Sequence, residues 1–276
     1  MMIRFATAAL GVAALGAIAS AQAPTAAEQA RFLDQARRTA LGYSDFLPDF
    51  VCTEVIHRSS SDSGVWRSLD SLTLQLTYAN KKENYKVVLV GNKPSDASFL
   101  SVGGAISAGE FGSTLRWIFE PESATAFRWE KSAAFHKTPV SVYSYRVPRA
   151  HSHYALVFGE GRDLRSIMVG FHGVLDIAND TNMVLHVTTE ADDIPADFSI
   201  HQASASIDYG FADVGGRQYL LPSGAETTML YQPNRSAETR QVRVLRPTLM
   251  RNLVDFRSYR KFAVDSKIDF GDDGKP

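Results

Sequence analysis

Hydrophobic and polar residues alternate along most of the chain after residue 50, the spacing that puts successive side chains on opposite faces of a β-strand. Residues 69–90 carry this alternation on both sides of the polar break at residues 80–82, so they predict a β-hairpin with one dry face and one wet face. The dry face is formed by Leu72, Leu74, Leu76, Tyr78, Tyr85, Val87 and Leu89.

A second hairpin is predicted around the turn Asn179-Asp180-Thr181. Its arms carry alternate apolar residues, which are Ile167, Val169, Phe171, Leu175 and Ile177 before the turn and Met183, Leu185 and Val187 after it. Further strands are predicted at 51–58, 124–130, 139–147, 153–158, 198–208, 217–221, 226–232, 240–246 and 253–264. Because consecutive hairpins pair neighbouring strands head to tail, we expect a mainly antiparallel, strongly curved sheet.

Two segments have helical spacing instead. In the first, residues 25–43, apolar positions recur every three or four residues, Glu28 lies in the first turn, and Gly42 is expected to end the helix. The second helix is predicted to begin at a capping box formed by Ser107 and Glu110 and to end before Pro121. The sequence therefore predicts an α+β fold, a half-barrel sheet covered by one or two helices.

The N-terminus has the pattern of a secretory signal peptide. A basic start at Arg4 precedes the uncharged, apolar run 5–18, which is shorter than the roughly 20 residues of a membrane-spanning helix. Small residues at Ala19 and Ala21 form a cleavage pattern, and cleavage after Ala21 avoids Pro24 near the scissile bond. We expect residues 1–21 to be a signal peptide, 22–270 a single β-rich domain and 271–276 a disordered tail, in a periplasmic or extracellular protein.

Charge and cysteine content restrict the partners and the chemistry. Loss of Arg4 with the signal peptide changes the formal net charge from −1 to −2, which gives no basic surface for nucleic acid or for an anionic membrane. The mature chain contains no run of about 18 apolar residues, so no transmembrane span is expected. The single cysteine, Cys52, cannot form an internal disulfide, and its apolar surroundings predict a buried hydrophobic role rather than a reactive thiol.

Two short motifs resemble catalytic or phosphate-binding sequences. The glycine-rich segment 103–109 lacks the Gly-Lys pair of a P-loop, and the carboxylate of Glu110 that follows would repel phosphate. Ser258 and Lys261 match the S-x-x-K spacing of serine acyl-enzymes, but the alternation around them predicts a strand, which puts them on opposite faces. We therefore expect a connector and a strand, with no catalytic residues and no cofactor.

Several histidines and aspartates are candidate metal ligands. His151 and His153 could share one side of an extended chain, but a loop is the simpler interpretation because no third ligand follows from the sequence. His172 and His186 are expected to face each other across the second hairpin as a polar pair, and Asp192-Asp193 to form a turn. Glycosylation sequons begin at Asn179 and Asn234, in short polar turns that produce such matches by chance.

Aromatic residues make up 11% of the chain and include Trp66, Trp117 and Trp129. They have two interpretations, core packing or the lining of an apolar pocket enclosed by a curved sheet and its helices.

Three parts of the chain form a recurring strand and turn pattern. They are Gly173-Val174-Leu175-Asp176-Ile177, residues 181–187 with Ile194-Pro195, and Ile207-Asp208-Tyr209 with Leu220-Leu221-Pro222. In this pattern the chain resembles the carriers that sort lipoproteins to the outer membrane (LolA-like). The segments 47–53, 109–113 and 259–262 resemble an uncharacterised group of exported bacterial proteins. The carrier resemblance implies a half-closed barrel with a cavity for acyl chains, but it identifies no ligand-binding residue.

The leading functional hypothesis is therefore a non-enzymatic envelope protein that binds a lipid, a lipoprotein acyl chain or another apolar ligand in a half-barrel cavity. The alternatives are a structural or interaction module of the envelope whose aromatics only fill the core, and a hydrolase with an unrecognised site. The sequence identifies no protein partner.

Overall fold

The computed structural model describes residues 23–102, 110–158, 165–232 and 247–262. Thirteen strands account for most of them. They are β1 (Phe50–Ser61), β2 (Arg67–Ala79), β3 (Lys82–Val90), β4 (Lys93–Pro94), β5 (Ala126–Phe135), β6 (Thr138–Val147), β7 (Ala155–Phe158), β8 (Arg165–Met168), β9 (Gly170–Ala178), β10 (Val184–Asp192), β11 (Ile200–Asp213), β12 (Gln218–Tyr231) and β13 (Thr248–Lys261). The α-helices are α1 (Ala26–Phe46) and α2 (Ser113–Phe119), and single 3₁₀ turns lie at Phe99–Val102, Pro121–Ser123 and Arg149–His151.

Eleven of the strands form one open, curved sheet in the order β4-β3-β2-β1-β13-β12-β11-β10-β9-β6-β5. Every neighbouring pair is antiparallel. The strands β7 and β8 form a separate two-stranded ribbon. The predicted α+β class, with a curved antiparallel sheet and two helices, is confirmed.

Both helices pack against the same face of the sheet. Their buried side chains, Ala36 and Ala40 from α1 and Leu115, Ile118 and Phe119 from α2, join a core with strands β6 and β9–β12. A second core lies over β1–β3, β12 and β13. Here the side chain of Phe111, instead of a helix, packs against the sheet. Phe111 is 1% exposed and contacts the rings of Phe50, Phe256 and Tyr259.

The helix α1 begins at a capping box and extends beyond its predicted C-terminal end. The Thr25 hydroxyl accepts a hydrogen bond from the backbone N–H of Glu28, whose carboxylate accepts one from the Thr25 N–H, a reciprocal capping box. The prediction that Gly42 ends the helix was wrong, because the helix continues to Phe46. It ends where Leu47 turns extended before Pro48, a residue that cannot continue a helix.

The second helix starts later than predicted. It begins at Ser113, so Glu110 lies in the preceding turn and does not act as a capping-box residue, while Ser107 lies outside the described residues. Gly112 precedes the helix with φ 123°, a conformation that favours glycine. This turn is tied to the sheet because the Tyr209 hydroxyl donates to the Glu110 carbonyl.

Residues 167–177 form two strands and not the one that was predicted. The chain leaves the β7–β8 ribbon at Val169, whose N–H donates to the carbonyl of Tyr154, and enters the main sheet at Gly170. A side chain at Gly170 would lie 3.0 Å from the backbone N of Arg149. The alternation of apolar residues continues through this change of partner, which is why the sequence did not show the break.

The strand β12 (Gln218–Tyr231) takes the place of the two strands predicted at 217–221 and 226–232. The strand β12 has a β-bulge next to Pro222. On the neighbouring strand β11, Asp208 pairs with Gly224 and Tyr209 pairs with Pro222, so Ser223 has no partner in the ladder. The bulge accommodates a residue without an N–H donor inside a continuous strand. Strands β5, β11 and β13 also have other bounds than predicted, and the predicted strand 240–246 lies outside the described residues.

The hairpin of β9 and β10 is confirmed, but its register differs from simple alternation. A register shift near Val184 buries Val184 and Val187 and leaves Leu185 half-buried. Further along, the Thr188 carbonyl approaches Gly173 so closely that a Cβ on the glycine would lie 1.9 Å from its oxygen. The Tyr145 hydroxyl donates to the same carbonyl oxygen over 2.8 Å.

Substituting Gly173 by alanine should therefore destabilise the fold strongly. The methyl group would overlap backbone atoms, which cannot move aside as a flexible side chain can, so we expect a loss of at least about 2 kcal/mol in the free energy of unfolding. Urea unfolding followed by circular dichroism measures this loss. The control is Gly210→Ala in β11, where the nearest atom to a new Cβ is 3.5 Å away. Equal stability of the two variants would contradict the close approach.

Candidate functional site

A cavity of about 260 Å³ lies between the concave face of the sheet and α2. Thr114 and Trp117 of α2 form one wall, and strands β9–β12 form the opposite wall. The lining residues are Glu110, Thr114, Trp117, His153, Tyr154, Ala155, Phe171, Val187, Thr189, Ala205, Ser206, Ile207, Ala225 and Thr227. Most of these side chains are apolar or aromatic, as in sites that bind small organic ligands.

One face of α2 packs into the core, and another face lines the cavity. Leu115, Ile118 and Phe119 are at most 3% exposed and pack into the core, while Trp117 stays partly exposed on the cavity side. On the sheet, two-residue alternation brings Phe171, Val187 and Ile207 to the concave face.

Small residues leave the space open. Ala205 and Ala225 lie on neighbouring strands and line the cavity, where a leucine or phenylalanine would fill it. Protein interiors are normally packed to crystal-like density, so a void of this size between a helix and a sheet is a specific feature of this region.

Six polar side chains interrupt the apolar lining, and they are Glu110, Thr114, His153, Thr189, Ser206 and Thr227. The hydroxyl groups of Thr189 and Tyr145 form a hydrogen bond of 2.9 Å, and the His153 Nε2 lies 3.1 Å from the Glu120 carboxylate. Thr227 is 8% exposed, and its Oγ1 has no hydrogen-bond partner among the described residues. A buried hydroxyl without a partner is costly, so Thr227 lowers the stability of the fold.

A cluster of three carboxylates adjoins the cavity, and we call Glu54, Glu83 and Glu110 the carboxylate cluster. Glu110 lines the cavity and is 3% exposed, and Glu54 on β1 is 2% exposed. The Tyr85 hydroxyl joins two members, because it donates to Glu83 and lies 3.3 Å from the Glu110 Oε2. Glu83 also accepts a hydrogen bond of 3.2 Å from the backbone N–H of Phe111.

Burial and like charge raise the pKa of two groups in this region, Glu54 and Tyr85. Burial, followed by the charges of Glu110 and Glu83, raises the pKa of Glu54 well above its ordinary value. The Glu54 Oε2 has no hydrogen-bond partner among the described residues. Burial and the same carboxylates also raise the pKa of the Tyr85 hydroxyl, so it stays protonated and remains a donor.

The carboxylate cluster is not evident from the sequence, although β1 contains one signal of it. Cys52, Glu54 and Ile56 alternate on one face, and the structure buries all three to 4% exposure or less. A glutamate on an otherwise apolar strand face is the unusual feature that could have been noticed. Glu83 and Glu110 reach the cluster from separate elements, which only the tertiary structure brings together.

Cys52 has the predicted role of a buried hydrophobic residue. It is 2% exposed, and burial is the main cause that raises the pKa of its thiol to about 12. The thiolate, which is the reactive form, is therefore scarce at neutral pH.

The predicted pairing of His172 with His186 was wrong. In the register of β9 and β10, His172 lies opposite Glu190 and His186 lies opposite Asp176. Each ring has its own carboxylate: the Nδ1 of His172 lies 3.0 Å from Asp192, and that of His186 contacts Asp208. The hydrogen bond to Asp208 raises the pKa of His186.

The other candidate motifs of the sequence do not come together in one site. His151 contacts the Glu122 carbonyl from a 3₁₀ turn, and His153 contacts Glu120, so the two rings have different partners. Ser258 lies in β13 as predicted, at a bulge where its φ is 58°. Asp192 ends β10 and pairs with Arg146, so the prediction that it forms a turn was wrong.

The described ranges contain no group of three or more His, Cys, Asp or Glu side chains arranged to hold a metal ion. Asn179 lies in the β9–β10 turn and accepts a hydrogen bond from Ser141. The glycine-rich segment 103–109, the sequon at Asn234, the signal peptide and the C-terminal tail lie outside the described residues.

Both interpretations of the aromatic residues hold for different side chains. Trp117 lines the cavity together with Tyr154 and Phe171, whereas Trp129 packs against the core formed with the helices. Trp66 stacks under the Arg251 guanidinium, 4.3 Å from it.

The molecule is thus an open antiparallel half-barrel with an internal, mainly apolar cavity. None of the helices in the described part is long and apolar enough to cross a membrane.

Comparison with known proteins finds distant structural similarity only. No family model matches the sequence, and no curated protein matches it. Three solved structures are distantly similar to this chain. The first is a LolA superfamily protein from Nitrosomonas europaea, with 9% sequence identity and a TM-score of 0.38 over 87% of this chain and 96% of that chain. The second is a putative outer membrane lipoprotein-sorting protein domain from Vibrio parahaemolyticus, with 12% identity and a TM-score of 0.38 over 87% of this chain and 94% of that chain. The third is a DUF1329 family protein from Desulfovibrio piger, with 9% identity and a TM-score of 0.36 over 84% of this chain and 92% of that chain. The predicted distant resemblance to LolA-like carriers is confirmed, and similarity at this level transfers no function and no site residue.

Replacing Glu54 by glutamine should stabilise the protein increasingly as the pH rises. Because the pKa of Glu54 is raised in the fold, the wild type loses stability from the unfolded-state pKa, about 4.3, upward to the folded pKa, by at most about 1.4 kcal/mol per pH unit. Glutamine removes this loss. Urea unfolding of both proteins near pH 5, 7 and 9 tests the prediction, with the exposed Glu122→Gln as the control variant. Stability curves that stay parallel across this range would show that Glu54 is not perturbed.

Proposed function

We propose that this protein is an exported, non-enzymatic envelope protein that binds the acyl chain of a lipid or lipoprotein, or another apolar ligand, in the cavity under α2. The observation that carries the proposal is the apolar cavity of about 260 Å³ between Trp117 and strands β9–β12. This volume lies just below the range of roughly 300–1,000 Å³ typical of small-molecule sites, so it suits a segment of chain better than a bulky ring system.

Burial of hydrocarbon supplies the binding energy in this proposal. Each methylene transferred from water contributes about 0.8 kcal/mol, so a segment of six carbons contributes roughly 5 kcal/mol before the entropy cost of binding. The aromatic rings of Trp117, Tyr154 and Phe171 offer large, rigid contact surfaces for such a chain.

The polar groups at the cavity support binding better than catalysis. Nucleophilic catalysis needs a hydroxyl or thiol hydrogen-bonded to a base, which a third group orients. His153 contacts Glu120, but no hydrogen bond joins its ring to a cavity hydroxyl in the described ranges, and the Thr189 hydroxyl is bonded to Tyr145. This arrangement supports a binding protein over a hydrolase.

The export part of the proposal rests on the N-terminal sequence. We expect the protein recovered from the periplasm or the medium of a bacterial host to have lost residues 1–21 and to begin at Gln22. Intact-mass spectrometry of the fractionated protein measures this directly. A protein found in the cytosol with an intact N-terminus would refute export.

Filling the cavity should abolish ligand binding without unfolding the protein. We expect the wild type, purified from the envelope, to carry acyl species in native mass spectrometry and lipid extraction. The variant Ala205→Leu puts a larger side chain at the cavity wall and should carry at least tenfold less. The matched control is Ala126→Leu, at an exposed position of the edge strand β5.

The outcome also separates the main alternative. If the wild type and both variants are free of ligand and equally stable, the carrier hypothesis is wrong and an interaction module of the envelope is favoured. Circular dichroism of each variant checks that the sheet is intact.

A further inference from the structure

We propose that the β7–β8 ribbon extends the binding site beyond the cavity and holds the part of an acyl chain that projects from the cavity mouth. The surface that holds this part consists of Ala155, Val157 and Met168, which we call the ribbon strip. This inference deepens the proposed function and rests on it. It assigns a length to the ligand, because such a site favours acyl chains longer than the cavity can enclose.

The mouth of the cavity lies at the base of the ribbon. Among the lining residues, which all belong to the described part of the chain, His153 and Ala155 alone are exposed, and the others are buried or half-buried. His153 lies two residues before β7, and Ala155 is the first residue of that strand. A chain that leaves the cavity at its exposed rim therefore passes beside Ala155.

The same face of the ribbon stays apolar beyond the mouth. Met168 on β8 lies directly opposite Ala155, and Val157 follows Ala155 by two residues on the same side of β7. Val157 is 52% exposed and Met168 is 42% exposed. Directly opposite and diagonal neighbours of this kind have their Cβ atoms within roughly 8 Å. The three side chains therefore form one continuous patch that starts at the cavity.

The ribbon holds the strip in place before a ligand binds. Its inner face packs into a core of its own, in which Leu156 and Ile167 pack with Phe198. The N–H of Val169 donates to the Tyr154 carbonyl over 3.0 Å and closes the base of the ribbon. The outer face is not needed for this packing, so its apolar residues do not contribute to the burial of the ribbon.

The ribbon strip differs from ordinary exposed apolar residues. Single exposed apolar side chains are common on protein surfaces and need no explanation. A strand pair with one face in a core ordinarily presents polar side chains on the other face. Here Ser166 is the one polar residue among the four described positions of the outer face, and Ala155 belongs both to this face and to the cavity lining. An occupant of the cavity therefore reaches the strip directly.

The size of the cavity determines how much of an acyl chain lies outside it. A methylene group occupies about the volume of a water molecule in the liquid, roughly 30 Å³, so about 260 Å³ encloses a segment on the order of ten carbons. A longer chain must project through the mouth, where it meets the ribbon strip. Each methylene half-buried there raises the affinity by roughly twofold.

The experiment measures binding as a function of chain length. Octyl-, decyl-, dodecyl-, tetradecyl- and hexadecylphosphocholine share one head without net charge, and each is titrated into the mature, delipidated protein below its micelle concentration. Calorimetry and the fluorescence of the tryptophans, of which Trp117 lines the cavity, measure the binding. We expect the affinity to keep rising beyond the decyl probe, so that the hexadecyl probe binds at least tenfold more tightly.

Two variants locate this effect on the ribbon. The combined change Val157→Gln and Met168→Gln makes exposed positions of the strip polar. It should reduce the ratio of hexadecyl to decyl affinity at least fivefold and leave octyl binding unchanged. Ser166→Leu, opposite Val157, enlarges the strip and should raise the hexadecyl affinity at least threefold. The matched control combines Val88→Gln and Leu253→Gln, at positions 39% and 40% exposed outside the cavity lining, and should keep the wild-type ratio.

The outcomes separate this inference from the proposed function. Affinity that stops rising at the decyl probe in the wild type would overturn the ribbon site and leave the cavity as the whole site. A rise that persists in the combined Val157→Gln and Met168→Gln variant would also overturn it, because the projecting chain would then lie elsewhere.

Two further outcomes identify other occupants or none. If sedimentation shows wild-type dimers that this variant does not form, and affinity does not depend on length beyond the decyl probe, the strip is a contact between two copies and the inference is wrong. Failure of all five probes to bind, at concentrations that saturate a micromolar site, would overturn the proposed function itself. Circular dichroism checks that each variant keeps its sheet.

Discussion

One face of an eleven-stranded sheet must be removed from water, and only two α-helices of the described chain are available to cover it. The helix α1 has 21 residues and is therefore roughly 30 Å long, and α2 has 7 residues and is roughly 10 Å long. Curvature of the sheet reduces the open area, and the Phe111 ring covers the part over β1 and β13 that no helix reaches. A third core, which includes Leu156 of the β7–β8 ribbon and Ile200 and Ala203 of β11, covers a further part, and the cavity lies beside α2.

Alternation made the covered face predictable, because it depends only on neighbouring residues of one strand. The dry face of β2 is buried as predicted, with Leu72, Leu74 and Leu76 at most 2% exposed. The pairing of strands was less accessible. The break at Val169 and the bulge at Pro222 depend on which strands lie alongside, information that alternation within a single segment does not contain.

The candidate site was predictable in character but not in its residues. A cavity lined by aromatic residues is expected when a curved sheet carries many aromatic side chains, and Trp117 is one of the aromatic residues that the sequence offers for such a lining. The carboxylate cluster joins β1, β3 and the turn before α2, and its successive members are 29 and 27 residues apart in sequence. Their approach is set by the Tyr85 hydroxyl and by Phe111, so no spacing rule along the chain could have shown it.

Glu54 and Thr227 both oppose stability, since each buries an oxygen without a partner in the described part of the chain. A protein selected for stability alone would be expected to have apolar side chains at both positions. The neighbours of Glu54 on the same face of β1, Cys52 and Ile56, are indeed apolar and buried. Departures from local consistency of this kind concentrate at functional sites, where the cost is recovered on binding. Thr227 belongs to the cavity lining, and Glu54 lies in the carboxylate cluster that adjoins the cavity through Glu110. Both departures therefore lie in or beside the region where we propose that a ligand binds.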